Sequence, residues 1–461
     1  MTSATPTLET FDWETFKNQS DFDIWSKKLA ELQTDSSSPV HSEHESFEAL
    51  PIPEHVRSLL EGMCYNRPSK IQAETIAECL SENPPHIIAS APGGTGKTSG
   101  FVLSCVSKID SASETPLQVI YTAATKEALD LVCDMFNFFS QHSDPLIKYY
   151  TSIQHREETP MLTKNPAEAH VIISSPMSIP KIIKEHNLSL DALKMFVVDD
   201  ASITFKVCEN YTKNPGNVEN GEGEVEVMEN PLTVLKQMIP STCQICTCSV
   251  YYSEATMALV DQFVPSEHRK LMTTPKEQQL SSSVLHVAID ELDEKTRYQQ
   301  VVELVKSASK YGAVIVFAPR NVNSYQIRNL HKQLTQEGIS CGRYDSGQRT
   351  EERVRNVKKF SVGEVRVMLS TIILACGIDI PDLCLVINMD TPLIIPEQGE
   401  PIPDFETYLY KSTRCGRFGQ RGLVVNYTWD EYSRQAMKAF SMESKVPIRW
   451  TGVQNLMEKL K

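Results

Sequence analysis

From Phe47 onward, short apolar runs alternate with stretches in which apolar positions recur every three or four residues. The runs include 86–91 (HIIASA), 118–122 (QVIYT), 170–174 (HVIIS), 195–198 (MFVV) and 244–248 (QICTC). An unbroken apolar run suits a strand buried on both faces, and the stretches between suit amphipathic helices. Strands separated by helices predict parallel βαβ units. The alternation breaks over the polar stretch 273–284 (TTPKEQQLSSSV). It resumes with expected strands at 285–289, 313–317, 340–344, 366–370, 383–388 and 422–427. The expectation is therefore an α/β chain: two open parallel-sheet domains, 46–274 and 285–461, joined by a linker at 275–284. In such sheets ligands sit beyond the carboxyl ends of the strands.

The polar, acidic residues 1–45 read as a flexible extension with one short helix over 23–32 (DIWSKKLAEL). The stretch 214–230 (NPGNVENGEGEVEVMEN) carries five glutamates among Gly, Pro and Asn. It reads as an exposed acidic loop, with partner binding as the alternative to plain solvation. The start, MTSATPTLETFDWE, lacks a basic then apolar segment, so no signal peptide is expected. No apolar run approaches the roughly 20 residues of a membrane span. No membrane insertion is expected, and the expected compartment is cytosol or nucleus.

The twelve cysteines then read as reduced thiols. Cys243, Cys246 and Cys248 contain one C-x-x-C spacing, open to a zinc or redox reading. No second pair follows at ligand spacing, and QICTCSV has the look of a buried strand, where Cys behaves as a small hydrophobe. The net charge of -14 argues against nucleic-acid binding by bulk electrostatics. It leaves room for a groove with local basic residues.

The chemistry concentrates at 91–98, Ala-Pro-Gly-Gly-Thr-Gly-Lys-Thr, which follows an expected strand and opens an expected helix over 97–109. This is the setting of a P-loop. Gly93, Gly94, Thr95 and Gly96 would turn backbone N–H groups toward phosphates. Lys97 would reach the β- and γ-phosphates, and the Thr98 hydroxyl would ligate Mg²⁺. The strict pattern begins with Gly, where this chain has Ala91. The strand 195–198 ends in Asp199-Asp200, and an Asp at a strand's carboxyl end is the expected Mg²⁺ partner. Capping of the next turn is the plainer alternative for Asp199.

These motifs resemble the DEAD-box RNA helicases over about nine-tenths of the chain, and most of all the mRNA-export subgroup at the cytoplasmic face of the nuclear pore. Residues 47–72 (FEALPIPEHVRSLLEGMCYNRPSKIQ) resemble the adenine-recognising Q motif. ENPP at 82–85 precedes the P-loop strand, GIDIP at 377–381 resembles motif V, and YLYKSTRCGRFGQRG at 408–422 resembles motif VI. The resemblance implies two tandem RecA-like domains that bind ATP with Mg²⁺. By position, Tyr65 would stack on adenine and Gln72 would read its edge. Ser249 would couple nucleotide to domain closure, and Asp379 would contact the ribose. Arg414 and Arg417 would act as arginine fingers. Lys126, Arg353 and Thr371 would touch the backbone of single-stranded RNA without reading its sequence. The resemblance also implies a monomer, partners among nuclear-pore or mRNA-export proteins, and a place at the nuclear pore.

The departures cluster. Motif II reads Asp199-Asp200-Ala201-Ser202 where the family has Asp-Glu-Ala-Asp. The catalytic carboxylate of Asp200 would fall about 1.5 Å short of the family's Glu, one C–C bond. A misplacement near 1 Å costs roughly a hundredfold in rate. Ser202 lacks the second acid that ties the motif to its neighbours. Motif III reads Ser249-Val250-Tyr251 for Ser-Ala-Thr, and Lys126 replaces an Arg. Met177 replaces a Gly, Cys376 an Arg, and Tyr410-Lys411 a His-Arg pair. Nucleotide-binding groups survive, while groups that time hydrolysis or meet RNA are altered. Two main readings follow: an RNA-stimulated ATPase with weakened turnover, or an ATP-holding clamp or scaffold that barely hydrolyses. A P-loop ATPase acting on protein or DNA is the third.

Overall fold

A computed structural model of the protein describes residues 6–14, 46–62, 67–113, 116–140, 143–153, 159–213, 229–319, 324–345, 347–371, 380, 383–396, 398–416 and 420–461. The helix expected over 23–32 and most of the acidic stretch, 214–228, lie outside them. The turn Pro92–Gly94 apart, the described chain forms two compact units that meet in sequence at Thr273 and Thr274.

The first unit is built on a parallel sheet of order β3-β4-β2-β5-β6-β1-β7. Its strands are β1 (His86–Ser90), β2 (Val119–Thr122), β3 (Tyr149–Thr151), β4 (Val171–Ser174), β5 (Met195–Val198), β6 (Gln244–Ser249) and β7 (Arg269–Thr273). The central strands are buried on both faces, as their unbroken apolar runs require. Side chains alternate between two cores. Ile87, Ala89, Tyr121, Val197, Cys246 and Cys248 share one; Ile88, Ile120, Phe196, Val198 and Ile245 share the other. Each fully buried aliphatic or aromatic side chain contributes about 1.5–3 kcal/mol. Because every pairing is parallel, the carboxyl ends of β1, β2, β5 and β6 lie along one edge.

The second unit repeats the plan. Its sheet order is β10-β11-β9-β12-β15-β8-β16. The strands are β8 (Val284–Asp290), β9 (Ala313–Phe317), β10 (Cys341–Tyr344), β11 (Val367–Ser370), β12 (Leu383–Asn388), β15 (Gly422–Thr428) and β16 (Ile448–Trp450). A small antiparallel pair, β13 (Leu393–Ile394) with β14 (Ile402–Pro403), stands outside the sheet. Polar groups in this core are paired. Asn388 Nδ2 donates to Asn426 Oδ1 at 2.7 Å, and Asn426 Nδ2 donates to the Val287 carbonyl at 3.0 Å. Lys411 Nζ lies 3.0 Å from Asp390 Oδ1, with both side chains largely out of water. These two sheets are the tandem RecA-like arrangement expected above.

Two stretches expected to be loose are packed. Within 275–284, Lys276–Gln278 forms a 3₁₀ turn. Lys276 and Glu277 ion-pair with Glu443 and Lys445 at 2.9 and 3.0 Å. Within 1–45, residues 6–14 lie on the second unit. Leu8 and Phe11 join its core, which also contains Val453, Leu456 and Leu460. Trp13 packs edge-on to Phe11 at 4.8 Å and donates from Nε1 to the Leu8 carbonyl at 2.8 Å. The spacing of Leu8, Phe11 and Trp13 makes a small apolar knob out of a polar sequence. Phe11→Ala is expected to undock it. Hydrogen exchange at the Phe11 and Trp13 amides should then accelerate by roughly a hundredfold, the equivalent of one lost buried aromatic. Unchanged exchange would mean that Leu8 alone holds the segment. Among the described residues no helix is long and apolar enough to cross a membrane.

Candidate nucleotide-binding site

The P-loop leaves the carboxyl end of β1 and turns into the helix Lys97–Lys108. Gly94 and Gly96 take φ of 78° and 88°, backbone that a Cβ disfavours. A Cβ on Gly96 would also lie 2.5 Å from Gln72 Nε2. Gly96 is the helix N-cap and supplies no side-chain cap, so the first-turn N–H groups point outward as an anion cradle. Lys97, mostly buried, donates to the Ala91 carbonyl at 2.6 Å.

The helix Lys70–Cys79 braces this loop from below. Ser69 and Gln72 form a reciprocal capping box. The Ser69 hydroxyl donates to the Thr95 carbonyl at 2.7 Å, and Gln72 Nε2 donates to Ser99 Oγ at 2.8 Å. Gln72 Oε1 accepts from the Ser69 N–H at 2.8 Å, so the side chain expected to read adenine also braces the loop. Ser69 and Ser99 were not anticipated as site residues, although the S-x-x-Q spacing signals the cap.

Asp199 follows β5 directly. Strand order explains its surroundings: β5 lies between β2 and β6, so Tyr121 and Cys248 are brought to the same face as its side chain. Thr98 Oγ1 donates to Asp199 Oδ2 at 2.8 Å, and Tyr121 OH donates to the same oxygen at 2.9 Å. Asp199 Oδ1 accepts from the Asp200 N–H at 2.8 Å and from Cys248 Sγ at 2.9 Å. The backbone is held too: Asp199 N–H donates to the Thr122 carbonyl, and Thr204 Oγ1 donates to the Asp199 carbonyl. A hydroxyl and a carboxylate meeting at the mouth of an anion cradle are oxygen ligands of the kind Mg²⁺ takes beside phosphates. Thr98 and Asp199 are thus the oxygen groups Mg²⁺ would use, although both Asp199 oxygens already accept from two protein donors each.

Asp200 sits at φ 42°, a left-handed conformation that Asp tolerates better than most residues. Ser202 does keep a tie to its neighbours, against the loss expected from the missing acid. Its hydroxyl bridges to Ser249 Oγ at 2.7 Å, and Ser249 Oγ donates to the Tyr251 carbonyl at 3.0 Å. Motifs II and III are therefore joined by a neutral, fully buried hydroxyl pair. Cys243, Cys246 and Cys248 are buried thiols in or beside β6. Burial pushes the Cys243 thiol up to about 12. Cys248 is the one in contact with the site.

Of the other expected residues, Lys126 and Thr371 follow the carboxyl ends of strands. Lys126 opens the helix Lys126–Ser140 after β2 and pairs with Asp130 at 3.0 Å. In the second unit Tyr344 and Ser370 are register partners at the ends of β10 and β11. Arg353 lies over the Tyr344 ring at 5.5 Å, and Thr371 follows Ser370. Arg353 and Thr371 thus share one corner of that sheet. Arg414, at the end of the helix Phe405–Ser412, donates from Nε to the Tyr410 carbonyl at 3.1 Å. Tyr65, Asp379 and Arg417 lie outside the described residues.

The sequence matches the DEAD/DEAH box helicase family over 69–207 and the helicase conserved C-terminal domain over 296–419, together more than half of the chain. This chain belongs to the DEAD-box helicase family. A DEAD-box relative, the ATP-dependent RNA helicase DBP5 of Mycosarcoma maydis, is 28% identical over 431 residues, covering 93% of this chain and 86% of its own. Among solved structures, S. cerevisiae Dbp5 bound to RNA and ADP BeF3 superposes with a TM-score of 0.75 at 21% identity. It covers 90% of this chain and 100% of its own. A single-substitution variant of S. cerevisiae Dbp5, bound to Nup159, a Gle1 variant, IP6 and ADP, gives 0.58 at 19% identity, covering 89% and 99%. At such identities the structures establish the DEAD-box fold.

Proposed function

We propose that this chain is an ATP-dependent RNA helicase or RNA–protein remodeller of mRNA export, with weakened ATP turnover. The observation that carries the reading is the P-loop assembly: the uncapped N-terminus of Lys97–Lys108, Lys97 on the loop, and Thr98 bonded to Asp199 at 2.8 Å. In this proposal Gly93–Gly96, Lys97 and Thr98 hold the phosphates of ATP, and Tyr65, Gln72 and Asp379 serve adenine and ribose. Thr98 and Asp199 would hold Mg²⁺, which neutralises phosphate charge when bound. Asp200 orients the attacking water from a shortened arm, and Ser249 relays the state of the nucleotide. Arg414 and Arg417 are the proposed cations for charge developing on the γ-phosphate. Lys126, Arg353 and Thr371 are proposed to grip the backbone of single-stranded RNA. Relatives named as RNA helicases support the substrate class, and the RNA-bound neighbour supports the ligand. The neighbour bound to Nup159 and Gle1 supports nuclear-pore and export partners and a location at the pore.

A second reading, an ATP-holding RNA clamp with negligible hydrolysis, is favoured by the departures in motifs II, III and VI, Asp200 foremost. Steady-state ATPase assays with and without single-stranded RNA separate the two. RNA stimulation supports the enzyme; saturable ATP binding without stimulated turnover supports the clamp. Asp200→Glu is expected to raise RNA-stimulated turnover by on the order of ten- to a hundredfold, by restoring reach to the carboxylate. The left-handed backbone at this position tolerates Glu less well than Asp, costing about 1 kcal/mol of stability. No rise in a folded variant would mean that water is positioned by another group.

A further inference from the structure

The Asp199 carboxylate is crowded with protein donors. An ionised carboxylate offers about four lone-pair positions on its two oxygens. Thr98 and Tyr121 occupy Oδ2, and Cys248 and the Asp200 N–H occupy Oδ1. Two of these four donors, Tyr121 and Cys248, belong neither to the P-loop nor to the Asp199-Asp200 motif. Tyr121 is a fully buried phenol in mid-strand, packed edge-on to Phe136 at 6.4 Å. Cys248 is a fully buried thiol on β6, paired in register with Ala89 of β1.

Neither donor yields easily. Each donates toward the carboxylate, which when ionised accepts only. Turning either away would strand a polar group in a sealed core. The carboxylate cannot move out from under them either, since its backbone is bonded to Thr122 and Thr204.

Mg²⁺ beside a nucleotide keeps much of its hydration shell and leans on one or two carboxylates together with the phosphates. A carboxylate with open lone pairs gives that shell somewhere to bond. This one must first lose a protein donor. We propose that Tyr121 and Cys248 are positioning residues that fill the acceptor sites of Asp199, so that this chain holds adenine nucleotide with little dependence on Mg²⁺. The inference deepens the nucleotide-binding reading above and rests on it. It also supplies a reason for slow turnover that is independent of Asp200.

The test is the affinity for a fluorescent N-methylanthraniloyl ATP, measured in excess EDTA and in excess Mg²⁺. The wild-type protein should bind with constants within about threefold of each other in the two conditions. Tyr121→Phe removes one donor without changing shape. It should leave the EDTA value within about twofold of wild type while tightening binding in Mg²⁺ roughly tenfold, the scale of one hydrogen bond to a charged group. Cys248→Ala should open a smaller gap, because a thiol is a weak donor. Cys248→Ser keeps a donor in place and should stay as indifferent to Mg²⁺ as the wild type. A merely structural role would not separate Ala from Ser in this way. A large Mg²⁺ dependence in the wild type, or equal gaps in Tyr121→Phe and wild type, would overturn the inference while leaving nucleotide binding intact. Equal gaps in the Ser and Ala variants would remove Cys248 from it. If Tyr121→Phe does not fold, the Cys248 pair decides alone. Absence of any saturable binding to the wild type would sink the function reading together with the inference.

Discussion

Lys97→Ala is expected to weaken ATP binding by roughly a hundredfold and to remove measurable turnover, the scale of one charge-assisted contact to a phosphate. The argument is local. The helix Lys97–Lys108 presents uncapped N–H groups, and Gly94 and Gly96 bend the loop so that they converge. These neutral donors orient a triphosphate but leave most of its charge unmet. Lys97 is the cation placed on the loop, its ammonium bonded to the Ala91 carbonyl at 2.6 Å. Titration with a fluorescent ATP analogue and a steady-state ATPase assay read both effects. Unchanged affinity and turnover would remove Lys97 from the phosphate site.

The largest effect on stability is expected from Asp390→Ala. Lys411 stands where the helicase family ordinarily has Arg, and its side chain is only 3% exposed. Asp390 supplies the opposite charge at 3.0 Å, and the Phe317 ring lies 5.6 Å from the ammonium. Removing the acid leaves a buried cation without its partner, which costs about 3–5 kcal/mol. For a unit of this size that is a fall of roughly 10 °C or more in its unfolding midpoint. Each unit has its own core, so calorimetry is expected to show the transition of the second unit moving to lower temperature. Asp390→Leu combined with Lys411→Met should recover most of the loss, because a well-packed apolar pair replaces a buried ion pair at little cost. A single Asp390→Ala variant as stable as the wild type would mean that Lys411 reaches water when the acid is gone.

The central strands were legible because burial on both faces writes itself as an unbroken apolar run. MFVV and VIIS are examples, and the Asp after MFVV was found for the same reason. Edge strands carry no such mark. β7 and β16, RKLMT and IRW, lie at sheet edges and are too mixed or too short to form an unbroken apolar run. The P-loop was legible because its residues are contiguous. Tyr121 and Cys248 were not, because in sequence they are ordinary members of apolar strands. Their bearing on Asp199 comes from the order β2-β5-β6, which joins residues 78 and 49 positions away. Strand order is a property of the whole sheet, and no local pattern announces it. The tie at Ser202 is hidden for a related reason: the missing acid is visible in the sequence, but the hydroxyl of Ser249 that substitutes for its bond is a contact across the fold.

The docking of Leu8 and Phe11 bears on how this protein is best prepared. A version trimmed to Phe47, where the helicase likeness starts, would strip two buried apolar side chains from the core of the second unit and wet the surface they cover. Such a shortened protein should be stickier at high concentration, and a tag fused ahead of Met1 would ride on the second unit rather than the first.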